Sequence, residues 1–114
     1  MLRSVVAGFL AASIASSAFA RSVTVQQYLT ENKGIPKAFN ELWLTGVYDG
    51  LEDANVELKQ TNKAELFCTP SNLAVTGDQI KSILNNYITK HKVKMDWDID
   101  FLLLEALKEV FPCS

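Results

Sequence analysis

The sequence predicts an all-α protein: a compact four-helix domain, closed by one disulfide and preceded by a cleavable signal peptide. Three observations lead to this fold class. After residue 20, apolar residues recur at spacings of three and four, which is the period of an α-helix. No stretch of useful length shows the strict alternation of a strand. The chain has two cysteines, and both lie in its second half.

The first 20 residues have the three parts of an export signal. Arg3 gives a positive start, an apolar run follows from Val5 to Ala15, and small residues lead up to Ala20. An uncleaved membrane anchor is the alternative, but it would need about 20 apolar residues, more than this run contains. We therefore expect cleavage after Ala20 and one exported domain over residues 21–114.

The charge of this domain excludes two classes of partner. The chain has 11 basic and 13 acidic residues. Because Arg3 leaves with the signal peptide, 10 basic residues remain and the net charge becomes −3. A negative domain is not expected to bind nucleic acid or an anionic membrane surface.

The first helix is predicted to begin at Thr24. Thr24 and Gln27 have the spacing of a capping box, in which each side chain binds a free backbone N–H of the first turn. The helix should end near Asn32, because Gly34 suits the left-handed conformation that follows many helices.

The second helix is the longest and is predicted from about Pro36 to Gln60. Its expected core face consists of Phe39, Leu42, Trp43, Val47, Leu51, Ala54 and Leu58. Gly46 and Gly50 fill the gaps in this stripe. A glycine inside a helix costs about 1 kcal/mol relative to alanine, so we expect something to approach closely there. Another helix of the domain is one interpretation, and a ligand, a partner or a dimer face is the other.

Two further helices complete the domain. Residues 61–75 should be irregular, with a turn at Pro70. The third helix is predicted to begin at Thr76, where Gln79 completes a second capping box, and to end near Lys90. The fourth helix is predicted over about 98–110. Apolar residues cover most of its circumference, so it should be central to the core.

Cys68 and Cys113 are expected to form a structural disulfide. Two cysteines in a small exported domain most simply pair with each other. A metal site is disfavoured because His91 is the only other soft ligand, and a redox pair is disfavoured because the spacing is not C-x-x-C. A disulfide closing so long a loop would stabilise the fold by about 4 kcal/mol.

No catalytic, metal or cofactor site is predicted. His91 is the only histidine, and no nucleophile-elbow or glycine-rich phosphate motif accompanies it. The alternating aspartates of residues 96–100 lack the glycine and the glutamate that a calcium loop requires at its sixth and twelfth positions. By elimination, the sequence indicates a binding or structural module and no enzyme.

A polar segment between the third and fourth helices is the candidate partner-binding loop. Its residues are Lys90, His91, Lys92, Lys94 and Asp96. Exposed loops on a rigid scaffold are common recognition sites. The alternative is a solvated loop whose charges only offset the helix dipoles.

Several of these residues together resemble a known family. The matching pieces are Phe-Cys-Thr-Pro-Ser-Asn-Leu at 67–73, Thr76, Gln79, Tyr87, the closing run Glu-Ala-Leu-Lys-Glu-Val-Phe-Pro-Cys at 105–113, and Gly46 in the long helix. This pattern, over roughly residues 36–113, resembles the resistance-associated (Rap-type) immunity proteins of type VI secretion. These are similar in role to the type VI amidase immunity proteins.

The resemblance implies an all-helical, disulfide-bonded protein of the Gram-negative periplasm. It also implies binding to a peptidoglycan amidase toxin, whose active site is blocked, often by a dimeric inhibitor. The residues that match, Cys68, Pro70, Gln79, Phe111, Pro112 and Cys113, look like determinants of the fold. The alternative hypothesis is a periplasmic adaptor or small chaperone without a toxin partner.

Overall fold

The computed structural model describes residues 23–31 and 33–114. These residues form four helices, and the described part contains no strand beyond one isolated bridge between Thr24 and Asp98. The helices are α1 (Val25–Thr30), α2 (Gly34–Gln60), α3 (Gly77–Lys90) and α4 (Ile99–Val110). The all-α prediction is confirmed. The predicted signal peptide lies outside the described residues.

Both predicted capping boxes are present. The Thr24 hydroxyl accepts a hydrogen bond from the Gln27 backbone N–H at 3.2 Å, and the Thr76 hydroxyl accepts one from Gln79 at the same distance. Each glutamine side chain accepts one in return from the threonine N–H. Gly34 is left-handed, with φ +61°, but it is the first residue of α2 and does not cap α1. α2 therefore begins two residues before the predicted start.

α4 lies at the centre of the core, as its composition predicts. Its fully buried residues are Ile99, Leu102, Leu103, Ala106 and Leu107. They pack with Leu44 of α2, with Ile80 and Leu84 of α3 and with Phe67 of the segment between those helices. The packing covers only part of the helix, since Phe101 and Val110 remain exposed.

The predicted core face of α2 is correct only in part. Trp43, Val47 and Leu51 of the predicted stripe are half-buried and pack against the core. The buried residues of this helix are Asn40, Leu44, Tyr48 and Asn55, whereas Phe39 and Leu42 of the predicted stripe are exposed. Two asparagines lie on the buried face because they make hydrogen bonds inside the fold, which an apolar pattern does not reveal. As a result, α2 presents apolar side chains to the outside as well as to the core.

Asn55 holds the irregular segment 61–76 against α2. Its side-chain amide donates to the carbonyl of Phe67 at 2.9 Å, and its oxygen accepts from the backbone N–H of Leu66 at 2.7 Å. Asn55 itself is 5% exposed. It therefore satisfies the carbonyl of the fully buried Phe67 and the partly buried N–H of Leu66.

We expect Asn55→Leu to lower the free energy of unfolding by about 3 kcal/mol. The reason is that each buried backbone group left without a partner costs about 1–3 kcal/mol. Urea unfolding followed by circular dichroism measures the change. Asn86→Leu, on the exposed side of α3, is the matched control and should change the stability by less than about 0.5 kcal/mol. Equal effects of the two substitutions would contradict the assigned role of Asn55.

The disulfide is formed between Cys68 and Cys113, as predicted. Their Cα atoms are 5.0 Å apart, and 45 positions separate them in the sequence. A backbone hydrogen bond from Cys68 to the carbonyl of Phe111, 2.8 Å long, runs beside the bond. The end of α4 is thus tied to the segment that carries the buried Phe67.

Candidate functional site

The loop between α3 and α4, residues 91–98, is held in place by the start of α1. The backbone N–H of Val25 donates to the carbonyl of Trp97 at 2.8 Å, and that of Gln26 donates to the carbonyl of Met95 at 3.0 Å. The first N–H groups of a helix have no partner inside it, so the loop carbonyls satisfy them. We call these residues the α3–α4 loop.

Contacts within the α3–α4 loop and to the core fix it further. Val93 donates its backbone N–H to the carbonyl of His91 at 3.0 Å, and Trp97 donates to Lys94 at 3.2 Å. The Val93 side chain is half-buried and packs against the core. The loop backbone is therefore anchored at both ends and in the middle, which orders it before any partner arrives.

Two residues of the predicted partner-binding loop are used within the fold. The Lys90 ammonium lies 2.8 Å from Glu109 of α4, and the His91 Nε2 atom lies 3.1 Å from the same carboxylate. The His91 ring also stacks on Tyr87, with centroids 4.1 Å apart. These contacts connect α3 to α4 on the surface.

Glu109 gives this cluster a pH dependence. Hydrogen bonds from Lys90 and then from His91 hold the pKa of the Glu109 carboxyl below its ordinary value of 4.5. A carboxyl whose pKa is lower in the folded than in the unfolded protein stabilises the fold when the pH is above the pKa of the unfolded state. This stabilisation is lost as the pH falls through the pKa of the folded state. We expect wild type to lose slightly more stability than Glu109→Gln between pH 6 and pH 3, in urea titrations at each pH. An equal loss would contradict this role.

The other three predicted loop residues point their charges to solvent. Lys92, Lys94 and Asp96 are exposed and make no ion pair with another described residue. The structure thus divides the predicted loop: Lys90 and His91 contact α4, and Lys92, Lys94 and Asp96 are exposed to solvent.

Three apolar side chains that the sequence analysis missed accompany these charges. Met95 is 49% exposed, Trp97 is 40% exposed, and Phe101, in the first turn of α4, is 57% exposed. Tryptophan is strongly enriched among the residues that dominate protein–protein binding energy. Met95 and Trp97 each lie between two charged residues in the sequence. This local pattern was the signal from which their exposure could have been predicted. The backbone carbonyls of both residues accept hydrogen bonds from α1, which the sequence pattern does not show.

A second exposed surface lies on α2. Phe39, Leu42, Trp43, Gly46 and Val47 line an apolar depression of about 400 Å³. The expectation that another helix of this chain crosses at Gly46 and Gly50 is wrong for the described residues. A methyl group added at either glycine would meet no other atom within 4 Å.

A polar cleft of about 420 Å³ lies between α1, α2 and α3. In it, Lys81 contacts Glu41 at 2.8 Å, and the Tyr28 hydroxyl donates to Asn85 at 2.8 Å. Burial raises the pKa of the Tyr28 phenol above its ordinary value. The contacts are ion pairs and hydrogen bonds that stabilise the packing of the three helices.

The described residues contain neither a membrane-spanning helix nor a cluster of metal ligands. None of the helices in residues 23–31 and 33–114 is long and apolar enough to cross a bilayer. Within the same ranges, no three histidine, cysteine or acidic side chains lie close enough together to hold a metal ion.

Comparison with known proteins identifies a family. Residues 6–113 match the sequence model of a family described as Rap1a immunity proteins. No curated protein and no solved structure matches the chain.

Proposed function

Because the chain belongs to the Rap1a immunity protein family, we propose that it is a periplasmic immunity protein that binds and inhibits a peptidoglycan amidase toxin delivered by type VI secretion. Membership of an immunity family supports the inference that this protein binds a toxin. It also supports a non-enzymatic role. The amidase as target and the periplasm as location are part of the proposal and are supported by the resemblance of the motifs and by the predicted export signal in residues 1–20.

The single observation that carries the proposed mechanism is the anchored α3–α4 loop with its exposed Met95 and Trp97. An inhibitor needs no chemistry of its own, since filling a cleft with complementary groups is sufficient. A loop that is already ordered loses little conformational entropy on binding, which leaves more of the interaction energy for affinity.

The charges of the α3–α4 loop supply specificity. Lys94 and Asp96 alternate with Met95 and Trp97 along the loop, Lys92 precedes them, and all five are exposed. Charges at the rim of an interface steer the encounter and reject wrong partners, while the buried apolar centre provides most of the affinity. Under this proposal, Trp97 and Met95 enter the toxin cleft and the three charged residues choose the toxin.

Purified protein and a panel of type VI amidases test this proposal. Release of peptide from purified peptidoglycan is measured with increasing amounts of the oxidised protein. We expect at least one amidase to be inhibited at an equimolar ratio and the others to be unaffected. Equal weak effects on all amidases, together with suppression of the aggregation of unrelated unfolded proteins, would favour the adaptor or chaperone alternative.

The proposed export to the periplasm can be tested separately. We expect the full-length chain, produced in a Gram-negative host, to accumulate in the periplasm with an intact mass that corresponds to a start at Arg21 and to two fewer hydrogen atoms than the reduced form. Mass spectrometry of the periplasmic fraction measures both. A mass that retains Met1, or a protein confined to the cytoplasm, would contradict the proposed location.

A further inference from the structure

The polar cleft between α1, α2 and α3 has the size and the chemistry of a small-ligand site. Its volume of about 420 Å³ lies in the range of pockets that hold small molecules, roughly 300–1,000 Å³. Charged and amide side chains line it together with the aliphatic side chains of Leu29 and Ile88. We propose that this cleft binds a small zwitterion, an aliphatic amino acid or dipeptide whose ammonium and carboxylate groups are both free.

A buried hydrogen-bond acceptor without a partner gives the first reason. Asn40 lines the cleft and is only 3% exposed. Its Nδ2 group donates to the carbonyl of Glu31 at 3.2 Å, but its Oδ1 atom has no hydrogen-bond partner among the described residues. Such an atom is uncommon in a folded protein and indicates a donor that the fold itself does not provide. We assign the ligand ammonium to this atom.

The charges that line the cleft give the second reason. Lys37 and Lys81 contribute two positive charges, and Glu31 and Glu41 contribute two negative charges. Lys81 contacts Glu41 at 2.8 Å, whereas the Lys37 ammonium lies 3.9 Å from the same oxygen and Glu31 makes no ion pair with a described residue. Lys37 therefore has donors available for a ligand carboxylate. A lining with equal charges of both signs is complementary to a ligand that is neutral overall and carries both charges.

The remaining lining residues complete the site. The Tyr28 hydroxyl occupies the Oδ1 atom of Asn85 at 2.8 Å, so the NH₂ group of Asn85 is a second donor for the carboxylate. Leu29 is 43% exposed, and an aliphatic side chain of the ligand gains free energy by covering it. Ile88 packs against the core, which fixes its position. The groups for the ammonium, the carboxylate and the side chain are thus present before the ligand binds.

NMR titration of the isotope-labelled protein tests this site. The full-length chain is produced with its own export signal and purified from the periplasm, and the probes are L-leucine and L-alanyl-L-leucine. We expect at least one probe to shift the backbone amide signals of residues 28–31, 40–41 and 85–89 saturably, with a dissociation constant below about 1 mM. The side-chain amide signals of Asn40 should shift. Those of Asn55, which is similarly buried on α2 but already hydrogen-bonded through both its atoms, should not.

Blocked probes and one substitution test the assigned contacts. The N-acetylated and the C-amidated forms of the probe that binds should each bind roughly tenfold more weakly, because each loses one charge-assisted contact. Lys37→Met keeps the length of the side chain but removes its charge and should weaken binding of the free probe roughly fivefold. Lys63→Met, at an exposed position outside the cleft, is the matched control and should bind as wild type does.

Three results would overturn the proposal. The first is the absence of saturable shifts with either probe up to about 10 mM, a concentration that detects even weak specific binding. The second is equal binding of the free and the blocked probes, and the third is an unchanged affinity of Lys37→Met. Circular dichroism should show the same helicity for both variants and wild type. The assay contains no toxin, so its outcome is independent of toxin inhibition.

Discussion

Cys113→Ser is expected to lower the free energy of unfolding by about 4 kcal/mol. The Cys68–Cys113 bond closes a long loop that includes α3 and α4, and its loss increases the conformational entropy of the unfolded chain. It also releases the segment that places Phe67, which is fully buried, in the core. A domain of this size has a total stability of about 5–15 kcal/mol, so the loss is a large share.

Urea unfolding at a fixed protein concentration measures this effect. The double variant C68S/C113S is the control for a reactive free thiol and should be as unstable as Cys113→Ser. Reduction of wild type should give the same loss. If reduced and oxidised wild type unfold at the same urea concentration, the bond does not have the structural role assigned to it.

Trp97→Ala is expected to raise the inhibition constant against the cognate amidase at least thirtyfold, which corresponds to about 2 kcal/mol or more of binding energy. The Trp97 ring is the largest exposed apolar group of the α3–α4 loop, and the loop holds it in place through backbone hydrogen bonds that the substitution leaves intact. The stability of the free protein should change little, because the ring is partly exposed.

Leu73→Ala provides the matched control for Trp97. Leu73 is 39% exposed, close to the 40% of Trp97, but lies in the segment before α3. Its truncation should leave the inhibition constant within about threefold of wild type. Similar losses for both variants would point to a general loss of stability, and no loss for Trp97→Ala would remove the α3–α4 loop from the toxin interface.

The features that the sequence predicts best are local. The capping boxes at Thr24 and Thr76 depend on residues three positions apart, so their spacing alone locates two helix starts. The ends of α3 and α4 and the irregular segment between α2 and α3 follow from similar local signals. The disulfide was predictable because the domain contains no other cysteine.

The buried face of α2 could not be predicted in the same way. Its apolar residues cover more of the helix than the core requires, and a periodic pattern does not tell which part faces inward. The buried asparagines Asn40 and Asn55 decide the rotation through hydrogen bonds to Glu31 and to residues 66–67, which are distant in the sequence. The apolar stripe that the pattern singled out therefore lies partly on the surface.

The position of the candidate site could be predicted from the sequence, but only some of its residues could. The charged run 90–96 located the α3–α4 loop, but Lys90 and His91 belong to a contact with Glu109 of α4. The backbone of Trp97 is held by a hydrogen bond between the loop and α1, and Met95 is held in the same way. Those bonds join residues about 70 positions apart, and the sequence pattern carries no signal for them.

Competition between sister cells tests the central claim, toxin immunity, most directly. The gene is deleted from the source bacterium, and the survival of the deletion strain is counted after contact with parent cells that have an active type VI secretion system. We expect the deletion strain to be killed, to survive when the attackers lack the secretion system, and to be rescued by wild type but not by Trp97→Ala. Survival of the deletion strain equal to that of the parent would contradict the account.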